Sequence, residues 1–335
     1  MKRLLAAPLA LALTIPASAQ DDPAPSPNQI VESAKASDWV AIPAEDLLVM
    51  TLAPDVQGNE RQVVIQLMPP PFSQGWVENI RTLVRTGWYD GISINRVQDN
   101  YVVQWGDPNV DNPEAEGEAK PLPEGLKNTR SSDYVEDKNR DQHSIGGNRL
   151  YGYTAMPRVR VDWGLHEIRS EDAYAPDAGF VAGWPVASDS DEIWPVHCYG
   201  TVGVGRGYSP DAGSGAELYT VIGHAPRHLD RNIGVVGRVV EGIEHLSSLP
   251  RGKGALGFYA DVTKRVPVRW VRLASDLPIA EQPRLEFLST KKRAFRKYAD
   301  ARANRRDPWF IEPAGGADIC NIPVPVRRVA APVAE

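Results

Sequence analysis

The chain has 335 residues, 42% of them hydrophobic, a net charge of −6 and two cysteines. The length allows one large globular domain or two, and the apolar fraction is that of a chain with an ordinary core. Modest acidity argues against a nucleic-acid binder, which needs a basic face to neutralise phosphates.

Residues 1–19 read as a secretory leader. Lys2 and Arg3 form the charged start, Leu4 to Ile15 the apolar run, and Ala17-Ser18-Ala19 a small-residue cleavage site. The run is too short to span a bilayer and nothing later approaches a spanning length, so a soluble mature protein in the periplasm is expected. Residues 20–38 include DDPAPSPNQ and read as a mobile linker, with order beginning near Trp39.

A domain is expected over 39–275. Gln62 to Leu67 is β-branched and partly alternating, which predicts a strand, and Pro69-Pro70-Pro71 stops it. Ser73 or Gln74 then opens a helix with Trp76, Ile80, Leu83 and Val84 on one face, and Gly87 closes it. Tyr101 to Trp105 has strand composition, ended by Gly106-Asp107-Pro108.

From 109 to 194 the chain becomes charged and rich in Pro and Gly, the texture of a long insertion. Within it, Tyr151 to Val161 and Ala178 to Val186 are candidates for short strands or turns. Strand character returns at Tyr199 to Val204, Leu218 to Ile222, Ile233 to Val240 and Val266 to Leu273, with a short helix over Glu241 to Leu249. Many short strands with two helices predict a mainly β chain built on a closed antiparallel barrel. Residues 276–335 form a C-terminal extension. RLEFLSTKKRAFRKYADARANRR predicts one basic amphipathic helix with Leu285, Leu288, Phe295 and Ala299 on its apolar face and Lys291, Lys292, Arg293, Arg296 and Lys297 solvated. An oxidising compartment permits a Cys198–Cys320 disulfide stapling this tail to the core; two buried thiols are the alternative.

Three patterns invite a chemical reading and lack its context. Gly200 to Gly207 resembles a dinucleotide-binding glycine run, but Tyr208-Ser-Pro210 follows where a helix must open. His224 and His228 are four apart like a helical metal pair, yet Pro226 lies between them. No nucleophile elbow or phosphate loop is present. The sequence calls for no cofactor and no metal.

One ordered series of segments remains. It runs through Gly87-Trp88-Tyr89-Asp90-Gly91, Ile94-Asn95-Arg96, Tyr101-Val102-Val103-Gln104-Trp105-Gly106-Asp107, Gly200 to Arg206, Gly215-Ala216-Glu217-Leu218-Tyr219, Leu229-Asp230-Arg231-Asn232 and Val236 to Gly242. In that order the segments resemble the cyclophilin family of peptidyl-prolyl isomerases, over about 140 residues. The resemblance implies an eight-stranded antiparallel barrel with two helices, here interrupted by the insertion and followed by the helical extension. It implies isomerase activity on proline-containing polypeptide segments without a cofactor. Arg96 stands where the family keeps its catalytic arginine and Gln104 where it keeps the supporting glutamine. Tyr101, Val102, Tyr219 and Leu229 match the proline socket, and Gly205 and Arg206 the backbone-binding edge. The departures are Ile94-Asn95 for Phe-His, Glu217 for a glutamine, His228 for a frequent tryptophan and Ile233 for a frequent histidine. Glu217 could pair with Arg96 and compete with substrate, so reduced or sequence-selective activity and weak cyclosporin binding are expected. The alternative is a catalytically weakened proline-binding or chaperone module.

Overall fold

The computed structural model describes residues 23–110, 115, 117–137 and 172–329. The leader and the strand candidate at Tyr151 to Val161 lie outside them. Order starts earlier than Trp39. In α1 (Pro27–Glu32), Pro27 takes the first helical position, the Ser26 hydroxyl accepts the Gln29 N–H, and the Gln29 side chain accepts the Ser26 N–H. The Pro-rich composition that suggests a linker is here a helix start, and Ile30 anchors it in a cluster with Phe295 and Tyr298 of the tail.

After β1 (Trp39–Ala41) come β2 (Leu47–Leu52) and β3 (Arg61–Leu67), which pair antiparallel over their whole length. Only the second is legible as a strand in the sequence. β2, LLVMTL, is buried on both faces except at Thr51, so it shows none of the alternation that marks a half-exposed strand. α2 (Gln74–Arg85) lays Trp76, Val77, Ile80, Leu83 and Val84 into the core. β4 (Ser93–Val97) and β5 (Val102–Gly106) form a hairpin whose bend is taken by Asn100 at φ 48°.

The insertion contributes β6 (Glu136–Asp137), β7 (Asp177–Val181), β8 (Trp184–Ser188) and β9 (Glu192–Pro195), a four-stranded sheet in the order β6-β9-β8-β7. Ala182 and Gly183, both at positive φ, make the two-residue turn between β7 and β8. Trp184, Val186 and Ile193 join the main core, so this sheet packs on the barrel.

β10 (Thr201–Val204), β11 (Leu218–Val221), β12 (Val235–Glu241), α3 (Glu244–Ser247) and β13 (Val266–Leu273) complete the domain. The barrel closes in the order β10-β11-β5-β4-β13-β2-β3-β12, every pair antiparallel. This is the eight-stranded barrel the resemblance implies, with α2 and α3 as its two helices.

The tail departs from the single helix expected. β14 (Leu285–Leu288) is a strand between β1 and β15 (Val326–Arg328), and α4 (Arg293–Ala303) covers only the second half of the segment. Leu285 and Leu288 are buried, as a helix would have them, but pairing with β1 overrides the helical spacing. Phe295 and Ala299 keep their predicted inward places on α4. Cys198 and Cys320 are joined by a disulfide with Cα atoms 5.1 Å apart, so the tail is stapled beside β10.

Candidate functional site

The site is a row across four neighbouring barrel strands. Arg96 on β4 lies opposite Gln104 on β5, Gln104 opposite Tyr219 on β11, and Tyr219 opposite Gly203 on β10. Directly opposed residues of antiparallel strands share a face, so the register alone gathers these side chains.

Arg96 is held at three points. Its Nε donates to the Leu256 carbonyl at 2.7 Å, Nη1 to Gln104 Oε1 at 3.1 Å, and Nη2 to Gln98 Oε1 at 2.5 Å. The rings of Tyr101 and Phe258 flank the guanidinium at 5.8 and 5.6 Å, within cation–π range. Burial pushes the Arg96 pKa down from its ordinary value, with Tyr101 and Tyr219 opposing. Among the described residues Arg96 has no carboxylate at ion-pair distance; its polar partners are all neutral acceptors.

Glu217 therefore does not pair with Arg96. The Gln104 carboxamide is interposed, accepting from Arg96 and facing Glu217 through a long 3.5 Å contact, while Glu217 Oε1 accepts the Asp107 N–H at 2.7 Å. The Glu217 carboxylate lies where a side chain on residue 106 would stand, so only Gly106 admits it. Gly205 gives Glu217 similar room, since a Cβ there would sit 2.8 Å from the Glu217 Cβ. Arg206 folds back on the chain, donating to the Asn232 and Gly207 carbonyls at 3.0 and 2.7 Å.

Beside Arg96, Val102, Tyr219 and Val221 form an apolar cluster, with Tyr101, Leu229 and Ile233 packed on it. The five socket-related residues Tyr101, Val102, Tyr219, Leu229 and Ile233 thus come together from three separate segments. Their exposure divides the work. Val102 is 2% exposed and supports the floor from beneath, while Tyr101, Leu229 and Ile233 remain partly open. His228 stacks on Tyr101 at 6.2 Å with the rings 11° apart, and His224 sits in the neighbouring loop, exposed like His228. The glycine run at 200–207 spans β10; a Cβ at Gly203 would collide with the Tyr219 hydroxyl, so that glycine makes room for Tyr219.

Sequence reasoning missed Gln98, Leu256, Phe258 and a buried group behind Tyr219. The signal for the first three was Gly252-Lys-Gly254-Ala-Leu-Gly257, a run that marks close approach of backbones. A Cβ on Gly257 would lie 2.8 Å from the Gln98 Cα, and Leu256 is held at φ 54° with its side chain exposed and its carbonyl on Arg96. A separate acidic cleft of about 600 Å³, lined by Asp133, Glu136, Asp137, Asp191 and Glu192 among others, shares no residue with this site.

The family model for cyclophilin type peptidyl-prolyl cis-trans isomerases matches residues 62–272. Among solved structures the chain is similar to the cyclophilin AquaCyp293 from Hirschia baltica, with a TM-score of 0.59 and 20% identity over 88% of this chain and 95% of that one. A cyclophilin type isomerase of Cryptosporidium parvum, determined in the presence of the dipeptide Ala-Pro, matches with a TM-score of 0.35 and 11% identity over 67% of this chain and 98% of that one. No curated protein matches. A matched stretch that takes in every barrel strand but β2, save the end residues Arg61 of β3 and Leu273 of β13, on a closed eight-stranded antiparallel barrel, places the chain in the cyclophilin-type family of peptidyl-prolyl cis-trans isomerases.

Proposed function

We propose that the protein isomerises Xaa-Pro bonds in extended segments of secreted proteins, with Arg96 as the catalytic residue and Tyr101, Tyr219 and Leu229 as the proline socket. Rotation about the bond must break amide resonance, against a barrier of roughly 18–20 kcal/mol. In the twisted state the nitrogen lone pair is released from the carbonyl, and a fixed donor aimed at it stabilises that state over either planar one. The observation that carries the reading is the Arg96 guanidinium: it is positioned by three neutral acceptors beside the apolar cluster, which leaves two of its five N–H groups for substrate. Gln104 orients it, and Gly205 and Arg206, just past β10 where the Gly205 N–H is bonded to the Glu217 carbonyl, are assigned to the substrate backbone. The leader at 1–19 supports a periplasmic site of action.

The test is a proline-peptide isomerisation assay on the mature protein and on Arg96→Ala. Loss of one preorganised charged donor lowers kcat/KM by about 10²–10³-fold. Background rates for both proteins would leave proline binding without catalysis as the function.

A further inference from the structure

Behind the socket lies a chain of buried polar groups that the isomerisation chemistry does not use. The Tyr219 hydroxyl passes through the gap left by Gly203 and meets His197 Nε2 at 2.9 Å, with the two rings 11° from parallel. His197 Nδ1 lies 3.0 Å from Asp230 Oδ1, which also accepts the His197 backbone N–H at 2.9 Å. Asp230 Oδ2 accepts from Arg227 Nε at 2.5 Å, and Arg227 Nη2 donates to Asp172 at 2.7 Å. His197 is 0% exposed, Arg227 2%, Tyr219 5% and Asp230 8%, so these bonds lie away from the surface.

Two elements outside the barrel end on this chain. Asp172 belongs to the insertion, where Tyr174 also covers the Arg227 guanidinium at 5.0 Å. Cys198, the residue after His197, is bonded to Cys320 of the tail, whose sulfur lies 3.7 Å from the His197 carbonyl oxygen. Buried ion pairs add little stability over well-packed apolar residues; their better-attested use is to fix one arrangement. The arrangement fixed here is the orientation of Tyr219. With the Asp230 carboxylate at Nδ1 that nitrogen donates, and in the neutral ring Nε2 is then the acceptor for the phenolic O–H.

We propose that His197 is a positioning residue for the proline socket, through which the insertion and the stapled tail set how tightly a proline segment is held. The inference rests on the reading of Tyr219 as part of that socket. Arg96 and its supports lie on other side chains, so binding and not the rotation step carries the effect.

Tyr219→Phe, His197→Leu and the double variant test it in the full-length oxidised protein. Each single change raises KM for an Xaa-Pro peptide about three- to tenfold, the size of one net hydrogen bond, with kcat within about twofold. The double variant is no worse than the worse single, because both remove the same bond. Nitrogen-15 spectra of histidine-labelled protein show an unprotonated acceptor Nε2 on His197, and its signal shifts in Tyr219→Phe. Unchanged KM in Tyr219→Phe, additive effects in the double variant, or a fall in kcat and stability at constant KM would each overturn the proposal. If His197→Leu does not fold, Tyr219→Phe and the nitrogen spectrum still decide. In a protein that turns over no peptide the functional reading fails, and the same fold-changes are then sought in the Kd of a proline peptide measured by titration.

Discussion

Arg96 gathers acceptors without gathering charge. Gln104, Gln98 and the Leu256 carbonyl fix its plane, and Gln104 keeps the Glu217 carboxylate away from it. The glutamate that the sequence marks as a competitor is bound instead to the Asp107 N–H. Glu217→Gln preserves an oxygen for that N–H, so kcat/KM changes by less than about fivefold, consistent with the small worth of part-exposed ionic contacts; the isomerisation assay reads this directly. A change well beyond that would return Glu217 to the role of inhibitor. Gly106→Ala is the harsher substitution, since its methyl group occupies the carboxylate's place. It costs about 1–3 kcal/mol in denaturant unfolding and lowers activity by displacing Glu217 onto Gln104.

Four strands carry the site, and each supplies one member of the row. Tyr219 needs its opposite position on β10 empty, which Gly203 provides. Gly203→Ala therefore loosens the β10–β11 pair as well as the socket; chemical denaturation shows a loss of about 1–3 kcal/mol. The tail illustrates how an element's type is settled by its partner. Leu285 and Leu288 are three apart and suit a helix, but β1 and β15 offer edges on both sides, and a strand satisfies more backbone groups there.

The whole molecule is a barrel clasped by additions from both ends of the chain. Insertion sheet, α1, α4 and the tail share one cluster outside the main core, and the Cys198–Cys320 bond closes it. The bridged residues are 122 apart, so reduction, or Cys320→Ala, lowers unfolding free energy by up to about 5 kcal/mol, the chain-entropy figure for a loop of that size, with the shift read from denaturation with and without reductant. High pH acts on the molecule through its tyrosines. Burial pushes Tyr89 and Tyr219 well above their ordinary pKa and Tyr259 up to about 12. Each stays protonated in the folded state where the unfolded chain has already lost its proton. The unfolded state then binds fewer protons, so stability is full below about pH 10 and declines between about pH 10 and 12. Thermal melts across that range measure the decline, and a flat Tm would contradict it.

The order of motifs along the chain was enough to reach the barrel and α2, and to single out Arg96, Gln104 and the proposed socket residues that the fold brings together, because these sit in segments whose local pattern and turn residues agree with the fold. β2 was hidden because a strand buried on both faces has no period, and the insertion's docking because its apolar residues are scattered. What only the tertiary structure decided is which distant groups meet. Leu256 reaches Arg96 across 160 positions and Asp172 reaches Arg227 across 55, contacts that no local spacing encodes. Arg96 is recognisable as a residue from its neighbours in sequence. Its freedom from Glu217, and the buried chain that orients Tyr219, follow from strand register and from backbone brought close at glycines.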